Sequence, residues 1–371
     1  MSAVHLGFHI TNRCQLNCDH CLRDPEKNAV ELEPELIARI VDEVRKSVRL
    51  QDVIFTGGEP TLHARFGDVV DAVARRAIPW QIVSNGATMP RLMTMLAAEP
   101  TWMASFLGAA LSLDGADEAV HDAIRGPGSF QQVLQAAALL RAMGKRLRIT
   151  TTINRRNQHQ IQDFCLLAAR LGAESILFAV LYPTGTLLDR TLSMSPDEWR
   201  QARERIDSMR RIVNVGIRLG VGWPTGSAWE VCAPWKFEEF HVDIYGRLNL
   251  CCVHSGIPWE GNTDLPPDVA GDLRRETFLE SWPRLVTIIQ DLMQRRIAAI
   301  AAGTLSEQDM QGCNWCLKSL GRPHWTADGV GGPVARRERW TGAWTPGYKE
   351  SHVEAGLGGP TVVEADSEPA N

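Results

Sequence analysis

Three cysteines, Cys14, Cys18 and Cys21, stand in a Cys-x3-Cys-x2-Cys spacing within one short stretch of chain. Thiolates set that close can reach three corners of a cuboidal iron–sulfur cluster and leave its fourth iron without a protein ligand. An open iron is a chemical opportunity, because an incoming amino acid can chelate it through amine and carboxylate. The same spacing also suits a zinc knuckle, or an electron-transfer cluster whose fourth ligand lies far along the chain.

Cys232, Cys251, Cys313 and Cys316 supply four further thiolates, enough to close a site, and Cys313-Asn314-Trp315-Cys316 is the tight pair expected of a shared metal. A hairpin from Phe240 through a turn at Tyr245-Gly246 would return the chain to Cys251 and explain the wide first spacing. The set predicts one auxiliary 4Fe-4S cluster, with a four-thiolate structural zinc as the alternative. Cys252 is left over. Neighbours on a strand face opposite ways, so Cys251 and Cys252 are not expected on one iron, and Cys252 is either a buried spare or a hydrogen-atom donor. Cys165 falls in the apolar stripe of a helix and reads as core. Nine cysteines, an odd count in short clusters, fit metal ligation better than a disulfide framework.

These residues need elements to position them, and the first half of the chain alternates short β-rich runs with helix-length amphipathic segments. Strands are predicted over 5–11, 52–56, 80–84, 107–113, 146–153 and 175–182. Helices are predicted over 33–48, 90–98, 130–143 and 159–171, with a further one over 196–213 opened by Ser195. The unusual residues follow the C-terminal ends of the strands: Cys14 to Cys21, then Gly57-Gly58-Glu59-Pro60, Asn85-Gly86, Ser112 with Asp114-Gly115, Asn154, and Pro183-Thr184-Gly185. In a βα barrel that end carries the active site, so six loops converge on one place. The alternation stops near Ile217. The predicted organisation is therefore a barrel over 1–216, a smaller Cys- and Trp-rich domain over 217–325, and an extended or poorly ordered tail over 326–371.

The 371 residues leave room for one large and one smaller domain, and a formal charge of −5 with scattered Lys and Arg gives no footprint for nucleic acid or a membrane surface. No apolar run reaches the length of a membrane span, and the first residues lack the pattern of a signal peptide, so a cytoplasmic protein is expected.

The stretch Thr11-Asn12-Arg13-Cys14-Gln15-Leu16-Asn17-Cys18-Asp19-His20-Cys21 is similar to the cluster loop of the radical S-adenosylmethionine (SAM) superfamily, and Gly57-Gly58-Glu59-Pro60 resembles its glycine-rich SAM motif. The resemblance implies a partial (β/α)6 TIM-type barrel and a SAM-binding 4Fe-4S cluster on Cys14, Cys18 and Cys21. It also implies that Gly57, Gly58, Glu59 and Pro60 meet the methionyl amine and that His20 contacts adenine. The stretches around Ser112, Asp114 and Arg125 resemble those of members with extra clusters, where Ser and Arg would hold the SAM carboxylate. Asn85 and Asn154 are candidates for the ribose and methionyl ends, or else strand-end turn residues. The Cys, Gly-centred hairpin, Cys, distant Cys-x2-Cys order resembles a SPASM/twitch extension. A full SPASM domain needs three more cysteines after the pair, and none follow here.

The resemblance implies reductive cleavage of SAM to a 5'-deoxyadenosyl radical that abstracts a hydrogen atom, fed by a flavodoxin- or ferredoxin-type reductant. A fully ligated second cluster is then expected to accept the electron left on the substrate, giving a net oxidation. Asp114, Glu59 and Glu239 are the candidate bases. Because the first strand begins by His5, leaving no room for an N-terminal peptide-recognition module, the expected substrate is a small molecule of natural-product biosynthesis. The alternatives are maturation of a ribosomal peptide, or a noncatalytic iron–sulfur or zinc protein.

Overall fold

The computed structural model describes residues 3–22, 29–182, 192–220, 222–223, 227–229, 231–256, 265–326 and 329–331. In its first half Val4–Thr11 forms β1, Pro34–Ser47 α1, Leu50–Gly57 β2, Phe66–Ala74 α2, Trp80–Ser84 β3, Met89–Ala98 α3 and Pro100–Ser105 α4. Phe106–Ser112 (β4), Glu118–Arg125 (α5), Ser129–Ala142 (α6), Arg146–Thr152 (β5), Ile161–Leu171 (α7), Ser175–Ala179 (β6), Pro196–Met209 (α8) and Gly216–Leu219 (β7) complete the alternating part. Then come Glu239–Val242 (β8), Arg247–Asn249 (β9), Cys252–Gly256 (α9), Val269–Asp272 (β10), Phe278–Ala301 (α10), Gly312–Ser319 (α11), His324–Thr326 (β11) and Gly329–Gly331 (β12).

β1 follows from its period of two. Leu6, Phe8 and Ile10 are fully buried on one face, while His5, Gly7 and His9 take the other. On the buried face, rings from successive strands form a row, Phe8 to Phe55 to Trp80 to Phe106, with centroid separations of 6.4, 6.0 and 4.6 Å. α1 starts at Pro34 and lays Ile37, Ile40, Val41 and Val44 against the sheet at helical spacing. α8 opens on a capping box in which the Ser195 hydroxyl accepts from the Glu198 N–H and Glu198 accepts from the Ser195 N–H, as the sequence position of Ser195 predicts.

The ten-stranded sheet runs β10-β9-β8-β1-β2-β3-β4-β5-β6-β7. β1 to β7 are parallel in sequence order, which is the arrangement of the predicted partial barrel. One strand more than expected joins it. β7 does alternate, with Ile217 buried between the exposed Gly216 and Arg218, but it runs for only four residues, too few for a period of two to stand out. β8 also extends the sheet, parallel to β1 with His5 opposite Glu239, and the predicted hairpin follows it into β9. The Asp243 carboxylate shapes that turn by accepting the Tyr245 and Arg247 N–H groups at 2.9 and 3.0 Å, and Gly246 takes the left-handed conformation at φ +73°.

Residues 1–338 form one compact unit, which contains every described residue. The Pro183-Thr184-Gly185 loop and nearly all of the expected tail lie outside the described residues. No helix among the described residues is long and apolar enough to cross a membrane.

Candidate active site at the C-terminal end of the strands

The thiol loop leaves the end of β1 and is pinned by the loop that leaves β2. The Gly58 N–H donates to the Thr11 carbonyl and the Glu59 N–H to the Arg13 carbonyl, both at 2.7 Å. So close a backbone approach leaves no space for side chains. A Cβ on Gly57, which sits at φ +132°, would come within 2.4 Å of the Thr11 oxygen, and one on Gly58 within 2.0 Å of the Arg13 oxygen. The glycine pair thus holds the start of the cysteine loop in register with β2. Pro60, buried, begins the short 3₁₀ turn that follows.

Glu59 is fully buried and its carboxylate is heavily engaged. It accepts from the Ser84 hydroxyl on both oxygens at 3.0 Å, from the Asn85 N–H at 2.9 Å and from Thr61 at 3.0 Å. Burial pushes its pKa up, against the pull of those donors. Asn85 continues the chain of contacts. Its side-chain carbonyl accepts from Gln15 Nε2 at 2.9 Å, and its Nδ2 donates to Cys14 Sγ at 3.6 Å. Asn85 therefore ties β3 to the cysteine loop itself.

A second network holds the middle of that loop. Asp114, fully buried after β4, accepts from Arg125 Nε at 2.5 Å and from the Thr152 N–H at 2.7 Å, and lies 3.2 Å from His20 Nε2. Arg125 Nη1 reaches Cys18 Sγ at 3.8 Å. Burial alone would raise the Asp114 carboxyl, but Arg125 and His20 beside it hold it below its ordinary value. Burial pushes the Cys18 thiol up to about 12, and Arg125 opposes the shift. Asn154 is buried in a strand-end turn, its carbonyl accepting the Arg156 N–H at 2.9 Å and its Nδ2 donating to the Thr152 carbonyl at 3.0 Å. Ser112 is half-buried at the end of β4.

Cys313 lies against the exits of β6 and β7. The Tyr182 hydroxyl donates to Cys313 Sγ at 3.5 Å, and Gly222 packs on the same side chain. Burial raises the Cys251 and Cys316 thiols well above their ordinary value. Neighbouring sulfurs add to it: Cys252, Cys313 and Cys316 act on Cys251, and Cys313 and Cys232 act on Cys316. The four thiols and Cys252 therefore lie in one neighbourhood, beside a buried ionic group in which Arg322 lies 2.5 Å and His254 3.0 Å from Asp268. Cys165, on α7, is fully buried, and burial pushes its thiol up to about 11.

Two expectations change. β9 ends at Asn249 and α9 starts at Cys252, so Cys251 and Cys252 are not strand neighbours and the argument from alternating faces does not apply to them. Glu239 pairs with His5 at the start of β1, about 20 Å along the strand from Thr11 at the usual rise, and its carboxylate faces His241 Nε2 at 3.4 Å. It lies at the other end of the sheet from the cysteine loop. Gln15 and Tyr182 are the residues that sequence reasoning passed over, since nothing in their local spacing marks a contact with a distant side chain.

Among the described residues, no three His, Cys, Asp or Glu side chains converge as ligands of a single metal ion. A cuboidal cluster takes one thiolate per corner iron, and the donor set suits it: three thiols on one loop, with N–H donors aimed at two of them. Two buried polar atoms beside them, His20 Nδ1 and Gln15 Oε1, have no hydrogen-bond partner among the described residues.

A parallel βα sheet carrying such a thiol loop at its strand ends is the arrangement that suits an iron–sulfur site on a βα barrel. Residues 8–168 match the model of the Radical SAM superfamily. The mycofactocin maturase MftC of Mycobacterium tuberculosis is 33% identical over 222 residues, 59% of this chain and 54% of that protein. The PqqA peptide cyclase of Methylorubrum populi is 28% identical over 213 residues, covering 57% and 53%. The AdoMet-dependent heme synthase of Methanosarcina barkeri is 29% identical over 301 residues, covering 75% and 81%. The chain thus spans about half the length of the first two. In fold it is similar to Streptococcus suis SuiB bound to S-adenosylmethionine, with a TM-score of 0.59 at 16% identity over 76% of this chain and 65% of that one. Members of the Radical SAM superfamily use a 4Fe-4S cluster and SAM, and its SPASM-type members carry an auxiliary cluster.

Proposed function

We propose that the protein is a radical SAM maturase that oxidises a ribosomally made precursor peptide in the cytoplasm, drawing electrons from a flavodoxin- or ferredoxin-type reductant. The match to a named peptide cyclase and to a maturase carries this reading, and it moves the substrate from the expected small molecule to a peptide. The bound cluster and SAM supply a 5'-deoxyadenosyl radical. Cys14, Cys18 and Cys21 hold that cluster, with Asn85 and Arg125 directed at its thiolates. The Gly57 to Pro60 strap, Ser112 and the unpartnered His20 Nδ1 border the space for SAM, while Glu59, Asp114 and Asn154 shape it from beneath.

Cys232, Cys251, Cys313 and Cys316 hold the auxiliary cluster. Such a cluster would supply an acceptor for one electron, so that a substrate giving up a hydrogen atom, a proton and that electron would undergo a net loss of two hydrogens. A second reading, oxidation of a small molecule, is favoured by the match that covers 81% of a heme synthase.

The two separate in one experiment. The reduced enzyme is supplied with candidate precursor peptides, chosen from any short open reading frames beside its gene, and deoxyadenosine and peptide mass are followed together. Coupled deoxyadenosine release and loss of hydrogen from the peptide support the maturase; a peptide left unchanged while a small molecule is oxidised would overturn it.

A further inference from the structure

We propose that the Tyr182 hydroxyl is a hydrogen-bond donor to the auxiliary cluster through Cys313, and that this bond raises the cluster's reduction potential and so poises it to accept an electron. The inference rests on the reading of Cys232, Cys251, Cys313 and Cys316 as that cluster's ligands.

Tyr182 lies just beyond the end of β6, where a parallel barrel presents its working face. Its O–H donates to Cys313 Sγ at 3.5 Å. The surroundings fix that contact rather than leaving it to a mobile side chain. Trp325 Nε1 donates to the neighbouring Leu181 carbonyl at 3.1 Å, and Trp223 Nε1 donates to the Phe178 carbonyl at 2.7 Å within β6. On the β7 side, Gly222 holds φ +96°, and a Cβ there would stand 3.2 Å from Cys313 Sγ. The exits of two strands are therefore moulded around this one sulfur.

The chemistry of such a bond is general. A hydroxyl dipole pointed at a ligating sulfur stabilises the more negative, reduced state of a cluster, and burial strengthens the effect. The first thiol loop receives different donors, Asn85 on Cys14 and Arg125 on Cys18, so removing the Tyr182 hydroxyl acts on one cluster only. Phenylalanine at 182 keeps the ring and deletes the donor.

The test uses the full chain reconstituted anaerobically, with the potential of each cluster followed by EPR in wild type, Tyr182→Phe and Cys313→Ala. Tyr182→Phe should keep its iron, lower the midpoint of the auxiliary signal and leave the SAM-binding cluster where it was. A tenfold weakening of the reduced state corresponds to about 59 mV for one electron. An unshifted auxiliary midpoint in Tyr182→Phe, with Cys313→Ala losing about half its iron, would overturn the donor role and leave the ligand reading standing. Full iron in Cys313→Ala would overturn the ligand reading itself. Should Tyr182→Phe fail to assemble, the wild type decides: the auxiliary signal should carry an exchangeable-proton coupling that disappears in D2O, and its absence would contradict the bond.

Discussion

The guanidinium of Arg125 bridges a buried carboxylate and a cluster thiol, with Nε 2.5 Å from Asp114 Oδ2 and Nη1 3.8 Å from Cys18 Sγ. Asp114 aims the guanidinium, and the guanidinium delivers positive charge to the sulfur. Outer-shell partners of this kind typically carry a 10- to 100-fold effect on metal affinity or activity, so Arg125→Ala should slow SAM cleavage by about that factor. Arg125→Lys, which cannot span both partners with one planar fork, should recover only part of it. Deoxyadenosine formation by the three proteins, normalised to iron, checks the order.

Gly58→Ala tests the strap. The added methyl would sit 2.0 Å from the Arg13 carbonyl oxygen, a backbone atom that cannot swing away. The variant should lose more than about 1 kcal/mol of stability and bind less iron at the first cluster. Thermal unfolding together with iron content after reconstitution reports both. An unchanged melting temperature would mean that the two loops are not in the contact described.

The share of this architecture that sequence alone reveals follows from the range of the interactions involved. The cysteine loop, the Gly57-Gly58 turn and the Ser195 cap are local signals, and β1 and α1 declare themselves by their periods. β7 does not, because its alternation lasts only four residues. Glu59 and Asn85 lie 26 residues apart and Arg125 and Cys18 lie 107 apart, so their bonds depend on strand order and not on spacing. The helical turn at Cys252 likewise depends on the chain leaving β9, which no alternation of residue types marks.

The base of the barrel carries a pH dependence of known sign. His5 Nδ1 lies 2.7 Å from Asp52 Oδ1, and that bond raises the His5 pKa above its ordinary 6.5 despite partial burial. A raised folded pKa contributes stability that is fully present below the unfolded value and is lost as pH rises through the folded one. His5→Gln should therefore destabilise the protein more at about pH 5.5 than at about pH 8.5. Denaturant midpoints at the two pH values measure the difference; an equal loss at both would remove His5 protonation from the account.

The most direct measurement is iron and cofactor turnover in one anaerobically reconstituted sample, compared with Cys316→Ala. The account predicts about eight iron per chain, deoxyadenosine formed from SAM with dithionite, and about four iron with residual SAM cleavage in the variant. Zinc in place of iron, or SAM that stays intact beside a fully loaded first cluster, would contradict it.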